Sequence, residues 1–326
     1  MVWDRKSSGH MEVWYATVNH RASGSAVWLR YTIAAPRRRD AYLELWGCWF
    51  DPEQGATFCG RQRLSIDHLG RPRDDGALLR LGDAWLSENH IEGSVSDGSR
   101  SMEWSLDFQP APAALQHIPR GLRRRAAGAS SVLCSPNLDV PFTGTVKLGE
   151  EVFEFDGDRG CQSHRWGRGH PASWAWAHCA VFEGRDDVVL EAVGARAAVG
   201  MLPLPPLTFL YLRYGDTEMA LNRDIRSVLR AKSHYEMPTW AFTAHNESYR
   251  VVGAARVNLS RMVQVRYEEP DGTERYCANS EVGDLAIEIY RLSDGLPVHV
   301  DSLTALRTAH LEFGRKEPFS EMPVAL

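Results

Sequence analysis

The feature of this sequence that most constrains its fold is a long series of short stretches in which apolar and polar residues alternate. Residues 11–20, 26–35 and 41–50 are rich in aromatic and β-branched side chains, and polar or glycine-containing breaks separate them. Similar stretches recur up to residue 316. A period of two puts successive side chains on opposite faces of a strand, and many short strands between turn signals predict a sandwich or barrel. The chain is therefore predicted to be all-β.

The strand pattern runs twice along the chain, with a break near residue 160. A length of 326 residues suits two domains or one large β architecture. We therefore predict one domain over residues 1–160 and a second over residues 161–326. Pro-Asp-Gly within residues 268–276 predicts a hairpin turn, and Asn279, Ser280 and Asp284 are predicted to shape another turn.

A few segments carry other local predictions. Short helices are predicted at residues 74–85 and 302–309, and residues 224–233 are predicted to form a strand. Residues 202–207, with the sequence LPLPPL, are predicted to form a loop. The one basic cluster, within residues 119–128, is predicted to be a solvated loop.

Charge and composition remove several classes of partner. The formal net charge is -5 and the pI is about 6.2, so nothing indicates a nucleic-acid or anionic-membrane partner. No run of 18 apolar residues indicates a transmembrane segment, and the N-terminus lacks the apolar region of a secretory signal. The six cysteines have no paired spacing and are interpreted as free thiols in a reducing cytoplasm. We therefore expect a cytoplasmic protein; the oligomeric state stays open.

One 19-residue stretch, CQSHRWGRGHPASWAWAHC at residues 161–179, holds three Trp, three His and two Cys. Strand alternation puts Trp174, Trp176 and His178 on one face. The small residues between them fall on the other face, which can press against a neighbouring layer. The aromatic face must either fill a wide core or line a cavity.

Metal and phosphate chemistry are not indicated by this stretch. Its His and Cys residues are of metal-ligand type but match no standard zinc spacing. No H-E-x-x-H, nucleophile elbow or phosphate-binding loop is present. We therefore predict no metal site and no cofactor.

The same stretch resembles a known signature. Trp166, Gly167, Pro171, Trp174 and Trp176 match the W-G-x(3)-P-x(2)-W-x-W pattern of a superfamily of tandem lipocalin-like proteins. That superfamily includes carotenoid 1,2-hydratase, AttH-like proteins, plant tocopherol cyclase and fungal decalin-forming Diels–Alderases.

The N-terminal strand adds to this resemblance. Glu12, Trp14 and Tyr15 match the group's opening strand, an acidic residue followed by an aromatic pair. The resemblance spans nearly the whole chain.

The resemblance implies two lipocalin-like (calycin-like) β-barrel or sandwich domains in tandem, with an apolar pocket at or between them. Members act on, or bind, hydrophobic polyenes and polyketides. In the hydratases, the His and Trp of an H-x-W element are implicated in catalysis, and His164 and Trp166 take those positions here. The hydratases' downstream Tyr/Asp pair is not matched: the corresponding region offers only Glu191.

Elementary chemistry assigns further roles. Hydrating or cyclising an alkene begins with proton transfer to carbon, which needs an acid that stays protonated near neutral pH. Glu191 lies in an apolar strand and is the candidate acid, with His164 as the second catalytic candidate. Aromatic faces stabilise a developing carbocation. The predicted substrate-binding residues are Trp14, Tyr15, Trp166, Trp174, Trp176 and His178.

Three functions follow as alternatives. The first is a cofactor-independent enzyme that hydrates, cyclises or isomerises an isoprenoid or polyketide-like substrate. The second is a non-catalytic carrier of a lipophilic ligand, because a fold does not fix a function. The third is a β-sandwich that stacks exposed Trp residues on carbohydrate. Each site residue also has a structural interpretation, as core packing or as a contact at the domain junction.

Overall fold

The fold is described from a computed structural model in residues 1–70, 77–118, 131–196, 198–199, 202–203, 207–221 and 223–326. Two antiparallel sheets contain most of these residues. The first sheet comprises β1 (His10–His20), β2 (Ser25–Ala35), β3 (Tyr42–Asp51), β4 (Gly55–Ser65), β5 (Ala77–Leu81), β6 (Ala84–Ser87), β7 (His90–Ser96), β8 (Ser101–Phe108), β9 (Leu115–Gln116), β10 (Ser131–Leu148) and β11 (Glu151–Gly167). The basic cluster at residues 119–128 lies outside the described residues.

The second half contributes twelve further strands in the described residues. They are β12 (Ser173–Cys179), β13 (Val188–Arg196), β14 (Ala198–Val199), β15 (Leu202–Pro203), β16 (Leu207–Tyr214), β17 (Thr217–Ala220), β18 (Lys232–Glu236), β19 (Thr239–His245), β20 (Tyr249–Arg256), β21 (Val263–Glu268), β22 (Glu274–Ser293) and β23 (Leu296–Arg315). β14 and β15 pair only with each other, and the others form the second sheet. Short 3₁₀ turns lie at Ile66–His68 and Leu259–Arg261, and helix α1 spans Ile225–Arg230.

The second sheet repeats the topology of the first. The first sheet has the order β4-β3-β2-β1-β11-β10-β8-β7-β6-β5, and the second has β17-β16-β13-β12-β23-β22-β20-β19-β18. In each, the first strand pairs with the last, and one extra strand (β9 or β21) pairs with the next-to-last. The strand pattern therefore does run twice. The exact division at residues 160 and 161 stays a prediction.

The described residues contain four apolar clusters, and the smallest packs Leu138 of β10 against Val189 and Tyr211 of the second sheet. Of the three larger clusters, one contains residues of the first sheet and the N-terminal segment, and another contains only residues from the second half. A third joins the sheets: Trp28 and Trp46 of the first meet Trp174, Val265 and Tyr267 of the second. The two sheets are thus packed together by apolar side chains as well as by polar contacts.

Several local predictions were wrong, and tertiary pairing explains them. Residues 77–81 and 84–87 form strands rather than a helix, and residues 302–309 lie inside β23, paired with β22. Residues 225–230 form α1 instead of a strand, because Asp224 caps the helix by accepting from the Ser227 N–H. Asn279 and Ser280 lie within β22, not in a turn.

The predicted hairpin turn is present in the structure, but the predicted state of the cysteines is not. The Pro-Asp-Gly hairpin is confirmed, since β21 and β22 pair across it from Glu268 to Glu274. The interpretation of six free thiols is wrong: Cys48 and Cys59 form a disulfide between β3 and β4. The hairpin register sets these two cysteines directly opposite each other, which their spacing in the sequence does not reveal.

Across the described residues, no helix has the length and apolar character needed to cross a membrane.

Candidate active site

The alternation predicted for β12 is confirmed. Ala175, Ala177 and Cys179 pack into the core of the second sheet. Trp176 and His178 are on the opposite face, with ring centroids 6.2 Å apart. Tyr15 of β1 meets the Trp176 ring edge-on at 5.7 Å. This face of β12 is therefore turned toward the first sheet.

Four ionisable side chains form a row across this face. Glu191 on β13 is opposite His178 on β12, and His178 is opposite His310 on β23. In β22 the pairing with β23 shifts between Ser280 and Gly283, and Glu281 occupies this irregularity beside His310. We call Glu191, His178, His310 and Glu281 the acid row. All four are buried, with at most 1% of each residue exposed.

Some atoms of the acid row have protein partners. Glu191 Oε1 accepts from Trp176 Nε1–H at 2.8 Å and lies 2.6 Å from His117 Nε2. The Nε2 of His178 lies 2.8 Å from the Leu138 carbonyl oxygen, so it carries the proton that is donated. Glu281 Oε2 lies against His310 Nδ1. Glu191 and His178 are thus held by hydrogen-bond partners outside the row.

Other atoms of the row have no hydrogen-bond partner among the described residues. They are Glu191 Oε2, His178 Nδ1, both ring nitrogens of His310 and both carboxyl oxygens of Glu281, with both amide atoms of the neighbouring Asn279. His310 Nδ1 and Glu281 Oε2 lie against each other as an ion pair but without the geometry of a hydrogen bond. A buried polar atom without a partner costs about 1–3 kcal/mol. Native proteins keep few such atoms, and a group of them points to a ligand, an ordered water or a catalytic role.

Burial also sets the charge of these groups. It raises the pKa of Glu281 well above its usual value, against a smaller opposing effect of the Asn279 amide. Burial lowers the pKa of His178 to about 4, with a contribution from His310, and lowers that of His310 to about 3. Burial therefore favours the protonated form of Glu281 and the neutral forms of both imidazoles.

A second row lies next to the acid row. Glu312 on β23 is opposite Trp176 on one side and Asn279 on the other. Burial raises the pKa of Glu312 to about 7, and Trp174 donates its Nε1–H to this carboxyl at 3.3 Å. The Trp174 ring lies over Gly314, where an added Cβ would fall 2.1 Å from the ring. Acidic and indole side chains are thus interleaved.

Small polar side chains of the first sheet face the acid row. Thr17 and Cys161 are cross-strand neighbours joined at 3.3 Å, and Ser163 contacts Ser135 at 2.8 Å. All four are buried. Burial raises the pKa of the Cys161 thiol, and the charges of Glu191 and Glu281 raise it further. This thiol therefore lies near both carboxyls. Small groups therefore face large ones across the sheet interface.

The structure does not bring His164 to Glu191. His164 is the cross-strand neighbour of Trp14, and the two rings stack at 3.7 Å. Tyr15 and Ser163 are the next pair along, so they point to the other face of the first sheet, where Tyr15 meets Trp176. His164 thus lies on the face of the first sheet that is turned away from Trp176, whereas Glu191 belongs to β13 of the second sheet.

His164 belongs to a separate aromatic stack. Its ring stacks on Trp14 and also contacts Trp166, whose ring centroid is 4.6 Å away. Its Nε2 is 3.0 Å from Glu12 Oε1, and Glu12 also accepts from the N–H groups of Val2 and Trp3. Burial alone would raise the pKa of Glu12, but these partners lower it to about 2. Through Glu12 on β1 and His164 on β11, this group holds the N-terminal segment against the first sheet.

The sequence analysis missed several members of the site. Glu281, His310, Glu312 and His117 were not among the predicted site residues. A signal existed for three of them: His310 and Glu312 are two residues apart, as are Asn279 and Glu281, so each pair shares a strand face. No local pattern marks His117, which reaches Glu191 only through tertiary packing.

A cavity of about 650 Å³ lies elsewhere, in the first half of the chain. Leu45, Leu81 and Trp104 contribute apolar lining, while Glu103 and Lys147 contribute charge. None of its lining residues belongs to the acid row.

Across the described residues, no group of three or more His, Cys, Asp or Glu side chains is arranged to hold a metal ion.

Comparison with known proteins adds a family model. The model described as tocopherol cyclase-like matches residues 86–315, which include the acid row. Over 289 residues the chain is 25% identical to an uncharacterized protein of Mycobacterium tuberculosis strain H37Rv, covering 87% of this chain and 83% of the relative. Over 60 residues it is 35% identical to a probable chloroplastic tocopherol cyclase of Oryza sativa subsp. japonica, covering 18% of this chain and 13% of that protein.

Solved structures share the fold. An AttH-like protein from Nitrosomonas europaea superposes with a TM-score of 0.56 at 12% identity, covering 93% of this chain and 91% of that one. CghA superposes with a TM-score of 0.54 at 8% identity, covering 94% of this chain and 88% of that one. The prediction of an all-β, tandem lipocalin-like fold is confirmed.

Proposed function

The chain belongs to the tocopherol cyclase-like family, and from this premise we propose that it is an enzyme that protonates an unsaturated hydrophobic small molecule between its two sheets. The substrate class is an isoprenoid or a polyketide-like polyene. One observation carries the proposal: Glu281 is a buried acid whose Oε1 has no partner among the described residues. A carboxyl with this environment can act as a general acid at neutral pH.

The proposed reaction starts with transfer of the carboxyl proton to an alkene carbon. The neighbouring carbon becomes a cation, and the indole faces of Trp174 and Trp176 stabilise it. An oxygen nucleophile then forms a C–O bond and gives up a proton. If that oxygen belongs to water the result is hydration, and if it belongs to the substrate the result is cyclisation. Atoms and electrons balance in both without a redox partner.

Glu191, the acid predicted from sequence, takes a different role in this proposal. Its Oε1 is held by Trp176 and His117, which leaves Oε2 as the oxygen that can accept a proton. Glu191 is therefore proposed to be an acceptor, and Tyr15, beside Trp176, to line the substrate space. His164 and Trp166 lie in the other aromatic stack and are proposed to position the first sheet.

The test begins with the identification of a ligand. The purified chain is analysed by native mass spectrometry, and organic extracts are searched for unsaturated compounds. The compound found, together with a panel of polyenes and prenylated phenols, is then incubated with the protein in D₂O. We expect a product with one deuterium on carbon.

Two variants make this test specific. Glu281→Gln keeps the size of the side chain but removes the acid, and we expect a rate lower by about 10²–10⁴-fold. Glu288→Gln changes an exposed carboxyl on the same strand and serves as the matched control. A product without deuterium, or full activity in Glu281→Gln, would overturn the proposal.

A carrier function is the second candidate, and the first-sheet cavity favours it. That cavity is large enough for a small ligand and contains no acid-row residue. A compound that both wild type and Glu281→Gln retain unchanged would support this alternative. Carbohydrate stacking has no similar support, because all eleven Trp residues are buried or partly buried.

A further inference from the structure

We infer that the reaction is a hydration, that its water is bound at Nε2 of His310, and that His310 returns a proton from this water to Glu281. The inference rests on the proposed function, since it presupposes proton transfer from Glu281. It adds the co-substrate and a second residue that touches it. The contacts of His310 carry the argument.

His310 is placed between an acid and an unpartnered position. Its Nδ1 lies against Glu281 Oε2, and its Nε2 has no partner among the described residues. The side chain is fully buried. A buried imidazole with one nitrogen on a carboxyl and the other without a partner can bind a water and relay its proton.

The proton positions are consistent with this role. In the proposed arrangement, the imidazole proton of His310 is on Nδ1, which lies against Glu281 Oε2, and the acidic proton of Glu281 is on Oε1. The Nε2 of His310 then carries a lone pair that accepts a hydrogen bond from water. His178 presents a lone pair in the same way, because its Nε2–H is donated to Leu138.

Several unpartnered atoms around His310 suit water more than an apolar chain. Asn279 offers an amide N–H donor and a carbonyl acceptor, and Glu191 offers Oε2. A buried water makes about three hydrogen bonds to such groups. Across the interface, the buried side chains of Thr17 and Cys161 are small. Outside the row, burial raises the pKa values of Tyr15, Cys161 and Glu312, and the charge of Glu191 or Glu281 raises them further, so these ionisable groups also lie nearby.

The relay closes the reaction cycle. Glu281 gives its Oε1 proton to the alkene and becomes a carboxylate. As water attacks the cation, its proton passes to Nε2 of His310, and His310 releases its Nδ1 proton to Glu281 Oε2. The sum is alkene plus water giving an alcohol. Glu281 is again protonated, and rotation of its carboxyl and a proton shift within His310 restore the starting arrangement.

The binding step can be tested without a substrate. A high-resolution crystal structure of the full chain should contain an ordered water within hydrogen-bond distance of His310 Nε2. The His310→Asn variant should lose that water while Glu281 stays buried. A dry interface, or a rearrangement in which the acid-row atoms satisfy one another, would overturn the inference.

The catalytic step is tested with H₂¹⁸O and D₂O on the compound that the chain turns over. The inference expects one ¹⁸O and one carbon-bound deuterium per product. Deuterium without ¹⁸O would overturn hydration and leave the proposed protonation intact. Absence of both labels would overturn the two together.

A variant separates the relay from a structural role. In His310→Asn, the alkene is still protonated but water capture is slowed, so recovered substrate should gain deuterium while the hydrated product falls by about 10²-fold or more. His299→Asn, an exposed histidine on the same strand, should behave as wild type. Equal loss of exchange and product would contradict the relay.

Discussion

At the scale of single residues, His164 and Glu281 are both buried but differ in their contacts. His164 contacts two Trp rings and has Glu12 at Nε2. Glu281 has an unpartnered oxygen in a row of unpartnered polar atoms. A residue whose contacts are all satisfied stabilises the fold, whereas one held at an energetic cost is a candidate for chemistry.

The His164→Phe variant tests the first assignment. Phenylalanine preserves the aromatic stack but removes the partner of Glu12. We expect the free energy of unfolding to fall by about 1–3 kcal/mol, with turnover per folded molecule unchanged. Urea unfolding and the rate assay measure the two effects. Loss of turnover at unchanged stability would instead support the catalytic role that the family resemblance implies for His164.

The Glu281→Gln variant tests the second assignment through pH. The folded-state pKa of Glu281 is raised above the ordinary value of 4.5, so its contribution to stability is fully present below pH 4.5. It is lost as pH rises toward the folded-state pKa. At pH 8 we expect Glu281→Gln to be more stable than wild type, and the difference should shrink toward pH 4. Urea unfolding at both pH values checks this, and a variant less stable at pH 8 would contradict it.

At the scale of elements, alternation predicted most strands because one face of each strand meets an apolar core. The prediction failed where pairing overrides local preference. Residues 302–309 contain good helix formers, but β22 pairs with them and fixes an extended chain. The site was predicted only in part: Trp174, Trp176, His178 and Glu191 share one strand face or adjacent strands. His310 and Glu281 join them from β23 and β22, much later in the chain, and no local pattern shows that these strands come to lie beside β12 and β13.

The β3–β4 hairpin carries its own prediction. Because Cys48 and Cys59 are disulfide-linked, alkylation of the denatured chain without reductant should leave two of the six cysteines unlabelled. Intact-mass measurement before and after reduction counts them. Replacing both by Ala should lower the free energy of unfolding by about 2–3 kcal/mol for a loop of this length. Six labelled cysteines without reductant would contradict the bridge.

At the scale of the whole molecule, the candidate site exists only where the two sheets meet. The acid row belongs to the second sheet, but His117 and Leu138 of the first half hold two of its members. The apolar cluster of Trp28, Trp46 and Tyr267 joins the sheets beside it. Each sheet also has its own apolar core, so the contact between the sheets does more than complete these cores. It buries the acid row, and this burial raises the pKa of Glu281.

This dependence predicts the behaviour of separated halves. Residues 1–167 alone would expose Trp28 and Trp46, and residues 168–326 alone would expose the acid row to solvent. We expect each half to aggregate when expressed alone, because large apolar patches become exposed. Co-expression should restore a soluble one-to-one complex, measured by size-exclusion chromatography.

The protonation state of Glu281 in the co-expressed complex tests whether contact between the halves restores the site as well as solubility. In the co-expressed complex, the infrared carbonyl band of a protonated carboxylic acid should be present at neutral pH and absent in its Glu281→Gln form. A C-terminal half that is soluble alone and still shows this band would mean that the second sheet maintains the acid without its partner. The site would then belong to one domain, and the first sheet would serve only to bind or deliver the substrate.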